Sequence, residues 1–236
     1  MQLYDKLVFV IYSVGAIFCL GFSWLFHTLY CHSEPVGKLF GKLDYCGISF
    51  MVMGSFVPWL YYCFYCQFYT RLIYLSTTVC FGVACIVVSL WDKFSTAQYR
   101  PVRAGTFKLD LNFLLINLLF SLALFIAFGL SGVVPAVHYV ITEGFYRAIY
   151  VAAMGWLVLM ALLYIGGAVI YALRVPERIW PGKFDIWFQS HQIFHVFVII
   201  AAFVHFHGIT IVASNMMRYG QCTDQTADLT RMAPAA

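Results

Sequence analysis

Six long runs of this chain contain no aspartate, glutamate, lysine or arginine: Leu7–Tyr30, Tyr45–Phe64, Leu72–Leu90, Phe113–Ile141, Ile149–Leu173 and Ile186–Val212. No other feature constrains the fold as tightly. An apolar run of roughly 20 residues matches the hydrocarbon thickness of a bilayer when helical. Inside a bilayer every backbone polar group must be paired internally, which leaves helices or closed barrels. Barrel strands are about ten residues long and alternate apolar with polar, and these runs do neither. Hydrophobic residues make up 63% of the chain and charged ones 10%, against about 25% charged in soluble domains. The predicted fold is therefore all-α, a polytopic membrane bundle of six spanning helices over residues 1–213, followed by a polar tail, 214–236, taken as disordered. The first run is too long for a signal-peptide core and lacks a small-residue cleavage pattern, so it is read as a retained span. There is no internal repeat and no Gly/Ser linker.

Basic residues are distributed unevenly between the two sides of such a bundle. The side on which the first span ends carries Lys38, Lys42, Lys93, Arg100, Arg103, Lys108, Arg174, Arg178 and Lys183. The opposite side carries Lys6, Arg71, Arg147, Arg218 and Arg231. The richer side is predicted to be cytoplasmic, with both ends of the chain outside. The net charge of +4 is accounted for by these loops and calls for no nucleic-acid partner. Cysteine is less informative. Cys19, Cys46, Cys63, Cys80 and Cys85 fall in apolar runs, where thiols act as small hydrophobes. Cys63-x-x-Cys66 has no second pair to make a zinc ribbon and is read as incidental packing.

Ionisable groups at membrane depth are costly and point to function. Four are conspicuous: His27 at the end of the first span, Asp44 opening the second, and His191 and His195 opening the sixth. Counting crossings places all four near the cytoplasmic face. Residues four apart share a helix face, so His191 and His195 can bind one metal ion, and His27 can add a third imidazole. Three histidines with an open fourth position form a known zinc arrangement. Asp44 can accept a hydrogen bond from a water there, with Ser23, one turn before His27, behind it. Taken alone, Asp44 reads rather as an N-cap, and a lone terminal histidine as an interfacial hydrogen-bonder. Haem ligation is set aside: His191 and His205 lack partners at a matching interval. His205 and His207 are read as outer-interface residues, His32 as a loop residue, and His138 as a packing or hydrogen-bonding histidine.

Several stretches match a known pattern: Ser23-x-x-x-His27, "HTLYCHSE", "KLDY", "MGSFVPWLYY", "RLIYLS", "GLSGVVP", "PERIWPGKFDIWFQSHQIFHV" and "AAFVHF". Together they resemble the adiponectin receptors of the progestin and adipoQ receptor family, over about residues 2–222. The resemblance implies that His27, His191 and His195 are zinc ligands, that Asp44 holds the zinc-bound water, and that Ser23 is the serine of the S-x-x-x-H motif. It also implies a seven-helix fold with an intracellular amino terminus and an extracellular carboxyl terminus. The chain begins where the family's second helix begins, so a form lacking the first helix is expected. A second departure is Lys108–Ile126, an added apolar segment, expected to elongate the fourth helix at its cytoplasmic end or to lie along the inner interface, without adding a crossing.

The functions implied by the resemblance are those of a plasma-membrane receptor and of a hydrolase. As a receptor, the chain would meet an extracellular adipokine-like protein ligand and act on fatty-acid oxidation and glucose use. As a hydrolase, with an active-site plan similar to alkaline ceramidases, it would cleave a membrane lipid such as ceramide and release free fatty acid, with Asp44 and Ser23 in the catalytic machinery. An alternative makes the zinc purely structural, in a non-catalytic signalling or lipid-sensing protein.

Overall fold

A computed structural model of the chain describes residues 3–91 and 111–219, with side chains at all of these except 111–119 and 219. Eight helices are present among the described residues, and no strand: α1 (Leu3–Leu29), α2 (Glu34–Cys63), α3 (Phe68–Leu90), α4 (Leu111–Leu130), α5 (Val133–Glu143), α6 (Phe145–Tyr150), α7 (Met154–Leu173) and α8 (Ser190–Tyr219). Six stretches are long and apolar enough to cross a bilayer: Leu3–Leu29, Glu34–Cys63, Phe68–Leu90, Phe120–Glu143, Met154–Leu173 and Ser190–Arg218. The chain is an all-helical, multi-pass membrane protein. Lys93, Arg100, Arg103, Lys108 and the tail beyond Tyr219 lie outside the described residues.

The apolar runs mark the spans but not their ends. Helix α2 begins at Glu34, whose carboxylate pairs with Lys38 one turn on at 2.6 Å. The sequence 34–44 is polar enough to read as a loop, yet Glu34 in the first turn suits the helix dipole and the i,i+4 pair supports the helix. Asp44 therefore does not open the second helix. It lies well inside α2, and the N-cap reading falls with that position. At the other end of the chain, α8 continues to Tyr219, past the expected boundary at residue 213.

Two expected single helices are broken. The fourth span divides at Ser131–Gly132, where the Ser131 N–H still reaches Ala127 O at 2.9 Å and its hydroxyl reaches Phe128 O at 2.7 Å. Gly132 packs closely there, where a Cβ would come within 2.8 Å of the tip of the Phe56 ring. Residues 111–126 of the added segment are helical and continuous with 127–130, as the elongation predicted; 108–110 lie outside the described residues. The fifth span divides at Val151–Ala153, with Ala153 left-handed at φ 50°. Asn215 of α8 donates to the freed carbonyls of Tyr150 at 2.9 Å and Val151 at 3.2 Å. Backbone groups released at membrane depth need such a partner.

The chain divides into two compact units, Met1–Tyr61 with Tyr69–Thr142, and Tyr62–Phe68 with Glu143–Ala236. In the first, α1 and α2 run antiparallel with their backbones in contact. A Cβ on Gly15 would lie 2.6 Å from Phe50 O, and one on Gly47 would lie 2.9 Å from Cys19 Cα. Small residues at such crossings give transmembrane helices their van der Waals contact, in surroundings where lipid is as apolar as leucine. Phe128 of α4 packs edge-on to Phe56 of α2 and stacks near Phe81 of α3. Lys42 donates to the terminal carbonyl of α3 at Leu90, 3.1 Å away. In the second unit α7 and α8 pack antiparallel, with Gly167 facing Phe197 and Gly208 facing Trp156.

Candidate metal centre

The antiparallel register of α1 and α2 determines what meets at their ends. Cys19 lies over Gly47. One turn further along α1 is Ser23, and one turn back along α2 is Asp44. The Ser23 hydroxyl donates a hydrogen bond to the Asp44 carboxylate, and His27, the next turn of α1, lies close enough to act on its charge. Ser23 is buried at 9% exposure, whereas His27 is exposed. The S-x-x-x-H spacing thus gives α1 one face carrying a buried hydroxyl and an open imidazole, both directed toward one acid.

His191 and His195 occupy the first turns of α8, as expected. Their Nε2 atoms are 3.1 Å apart and their rings stand edge to face at 4.8 Å. Tyr171 of α7 lies against His191, with ring centroids 5.2 Å apart, and against Phe194 at 5.6 Å. The start of α8 is fastened in two places. Glu177 Oε1 accepts both the N–H and the hydroxyl of Ser190, each at 2.8 Å. Gln192, between the two histidines in sequence, accepts from Phe188 N–H at 2.8 Å and donates to Ile186 O at 3.1 Å. Partial desolvation pushes the Glu177 carboxyl up, but the Ser190 hydrogen bonds and the charge of Arg174 together hold it below the usual range.

His191 and His195 each offer one ring nitrogen, and the pair is close enough to share a metal ion; His27 offers a further imidazole at the end of α1. The donor chemistry suits zinc: bonds of about 2.0–2.1 Å around a tetrahedral centre put ligand nitrogens roughly 3.4 Å apart. The His191–His195 separation of 3.1 Å is near that spacing.

The remaining histidines are spread through the helices and the first loop. His32 lies in the loop after α1, near Ser33, as read from sequence. His138 Nδ1 and the Tyr74 hydroxyl are 2.7 Å apart, the hydrogen-bonding role expected. His207 is exposed and meets the Trp156 ring edge-on at 4.6 Å. His205, read as an outer-interface residue, is 2% exposed and lies near the middle of α8. The Cys63-x-x-Cys66 pair also does not act as a unit. Cys66 is disulfide-bonded, and Cys63 is free and buried. Sequence reasoning missed Glu177, Gln192 and Tyr171. Glu177 reaches Ser190 across 13 residues, an interval no helical or strand period flags.

These residues define a class: a polytopic α-helical membrane protein with a histidine pair suited to a metal ion. Residues 1–206 match the family model described as Haemolysin-III related, and the chain belongs to that family. It is 56% identical over 223 residues to the "Adiponectin receptor protein" of Drosophila melanogaster, covering 94% of this chain and 46% of that protein. It is 48% identical over 213 residues to the "Progestin and adipoQ receptor-like protein 1" of Caenorhabditis elegans, covering 90% and 45%. It is 40% identical over 205 residues to the "ADIPOR-like receptor IZH2" of Saccharomyces cerevisiae, covering 87% and 59%. The chain spans about half the length of these curated relatives.

Proposed function

We propose that this chain is an adiponectin-receptor-like membrane protein whose His27, His191 and His195 hold zinc near the cytoplasmic face, and that it hydrolyses the amide of a long-chain ceramide. The observation that carries the reading is the His191–His195 pair, whose Nε2 atoms lie 3.1 Å apart at the start of α8. When bound, zinc with three nitrogen ligands makes water a nucleophile near neutral pH. Asp44 then serves as the base, with the Ser23 hydroxyl fixing its carboxylate. It orients the water, takes its proton as oxygen adds to the amide carbon, and returns that proton to the nitrogen as the C–N bond breaks. The products are a fatty acid and a sphingoid amine. The relatives' names support a receptor role; we read its ligand as an extracellular adipokine-like protein and its output as a change in lipid and glucose metabolism. A plasma-membrane setting with the carboxyl terminus outside accords with the positive-inside bias. It also accords with the disulfide at Cys66, since disulfides persist on the oxidising side.

Metal analysis of the purified chain tests the site. About one zinc per chain is expected for a single three-histidine centre, with occupancy lowered by His27→Ala, His191→Ala or His195→Ala. Full occupancy surviving the double change His191→Ala with His195→Ala would sink it.

A further inference from the structure

The connection from Arg174 to Gln189 joins two membrane spans and has no part in the chemistry above. Helix α7 ends at Leu173 and α8 begins at Ser190, both inside candidate spans, so both ends of the connection are held at one membrane surface. Its large apolar side chains nonetheless point outward. Ile186, Trp187 and Phe188 are 73%, 74% and 71% exposed, and Ile179 and Trp180 are 55% and 52% exposed. Among them stand the exposed cations Arg174, Arg178 and Lys183. The acids are fewer: Asp185, and Glu177, whose Oε1 is engaged with Ser190.

The connection is folded and fastened. Turn hydrogen bonds run from Arg178 N–H to Arg174 O at 2.8 Å and from Ile179 N–H to Pro176 O at 2.9 Å. Gln192 brackets the 186–188 tip through both a donor and an acceptor. That bracket holds Phe188 at φ 60°, a left-handed conformation that side-chain-bearing residues seldom adopt. Spending such a constraint to hold three large apolar side chains away from the protein makes sense if something receives them.

We propose that this connection is a membrane-interface anchor that binds anionic phospholipid. Trp187, Phe188 and Ile186 enter the headgroup–acyl boundary of the leaflet where α7 ends and α8 begins, and Arg174, Arg178 and Lys183 meet the phosphate and carboxylate groups of its lipids. Aromatic side chains favour that depth, and basic clusters beside a span are drawn to anionic leaflets. A protein partner would also accept exposed tryptophan. However, the connection is held at the membrane surface by both ends and its excess charge is positive, and these features favour lipid.

The test uses the full chain in bilayer nanodiscs, with Trp187 isolated as the difference in emission between the parent and Trp187→Phe. The expected result is quenching of that emission by lipids brominated near the headgroup, together with shielding from aqueous acrylamide. Replacing part of the phosphatidylcholine by phosphatidylserine should shift the emission further to the blue, and Arg178→Gln with Lys183→Gln should abolish that shift. Trp187 open to acrylamide and indifferent to brominated lipid would overturn the proposal and point to a protein partner. Insertion that ignores phosphatidylserine in both the parent and the neutralised variant would overturn the anionic-lipid assignment.

Discussion

Asp44 owes its position to Ser23. A carboxylate within a spanning helix is costly unless something uses or neutralises it, and here a buried hydroxyl on the neighbouring helix donates to it. Asp44→Asn keeps a hydrogen-bonding group of the same size and removes the base. Zinc content should stay near that of the parent, while release of sphingoid amine from defined ceramides in detergent should fall by about 10²-fold or more, the usual scale for loss of a positioned base. Unchanged hydrolysis would end the assignment. At this scale much was legible. Counting crossings singled out His27, His191 and His195 as candidates, and the S-x-x-x-H spacing pointed to Ser23, which lies beside Asp44. Glu177 and Gln192 were not legible, because each acts on backbone groups whose positions depend on an irregular connection.

At the scale of elements, the contact between α1 and α2 fixes the site. Gly15 and Gly47 allow backbone approach, and that approach sets the register in which Ser23 meets Asp44. Gly47→Leu would drive a side chain into Cys19 Cα, and backbone cannot give way as a flexible side chain can. Overpacking of this kind costs about 1–3 kcal/mol, and the strain should fall on the α1–α2 register. The expected outcome is a lowered thermal midpoint together with weakened zinc retention, read by metal analysis after size-exclusion chromatography. Gly21, whose Cβ would meet nothing within 4 Å, supplies the control, and Gly21→Leu should leave both unchanged. Hydropathy revealed the spans but not their interruptions. The turn at Ser131–Gly132 and the break at Val151–Ala153 leave local composition apolar. The break at Ala153 is stabilised from α8 by Asn215, a tertiary contact with no local signature.

At the scale of the whole molecule, the number of crossings decides whether the histidines share one face of the membrane. The added segment is the point of risk: residues 111–130 form one helix long enough to cross, and a return crossing would invert everything after it. Length argues against a return. Helix α5 has 11 residues, about 16 Å at 1.5 Å per residue, roughly half the 30 Å hydrocarbon core. On that ground one interrupted crossing is expected, and with it His191 beginning α8 on the side where His27 ends α1. The excess of basic residues on that side agrees with that parity. A tag fused after Ala236 should accordingly bind antibody in intact cells without permeabilisation. A maleimide reagent that cannot cross membranes should leave a cysteine introduced at Lys183 unlabelled until the cells are opened. Labelling at position 183 from outside, with the tag hidden, would mean that the segment adds a crossing and that the three histidines cannot serve one ion.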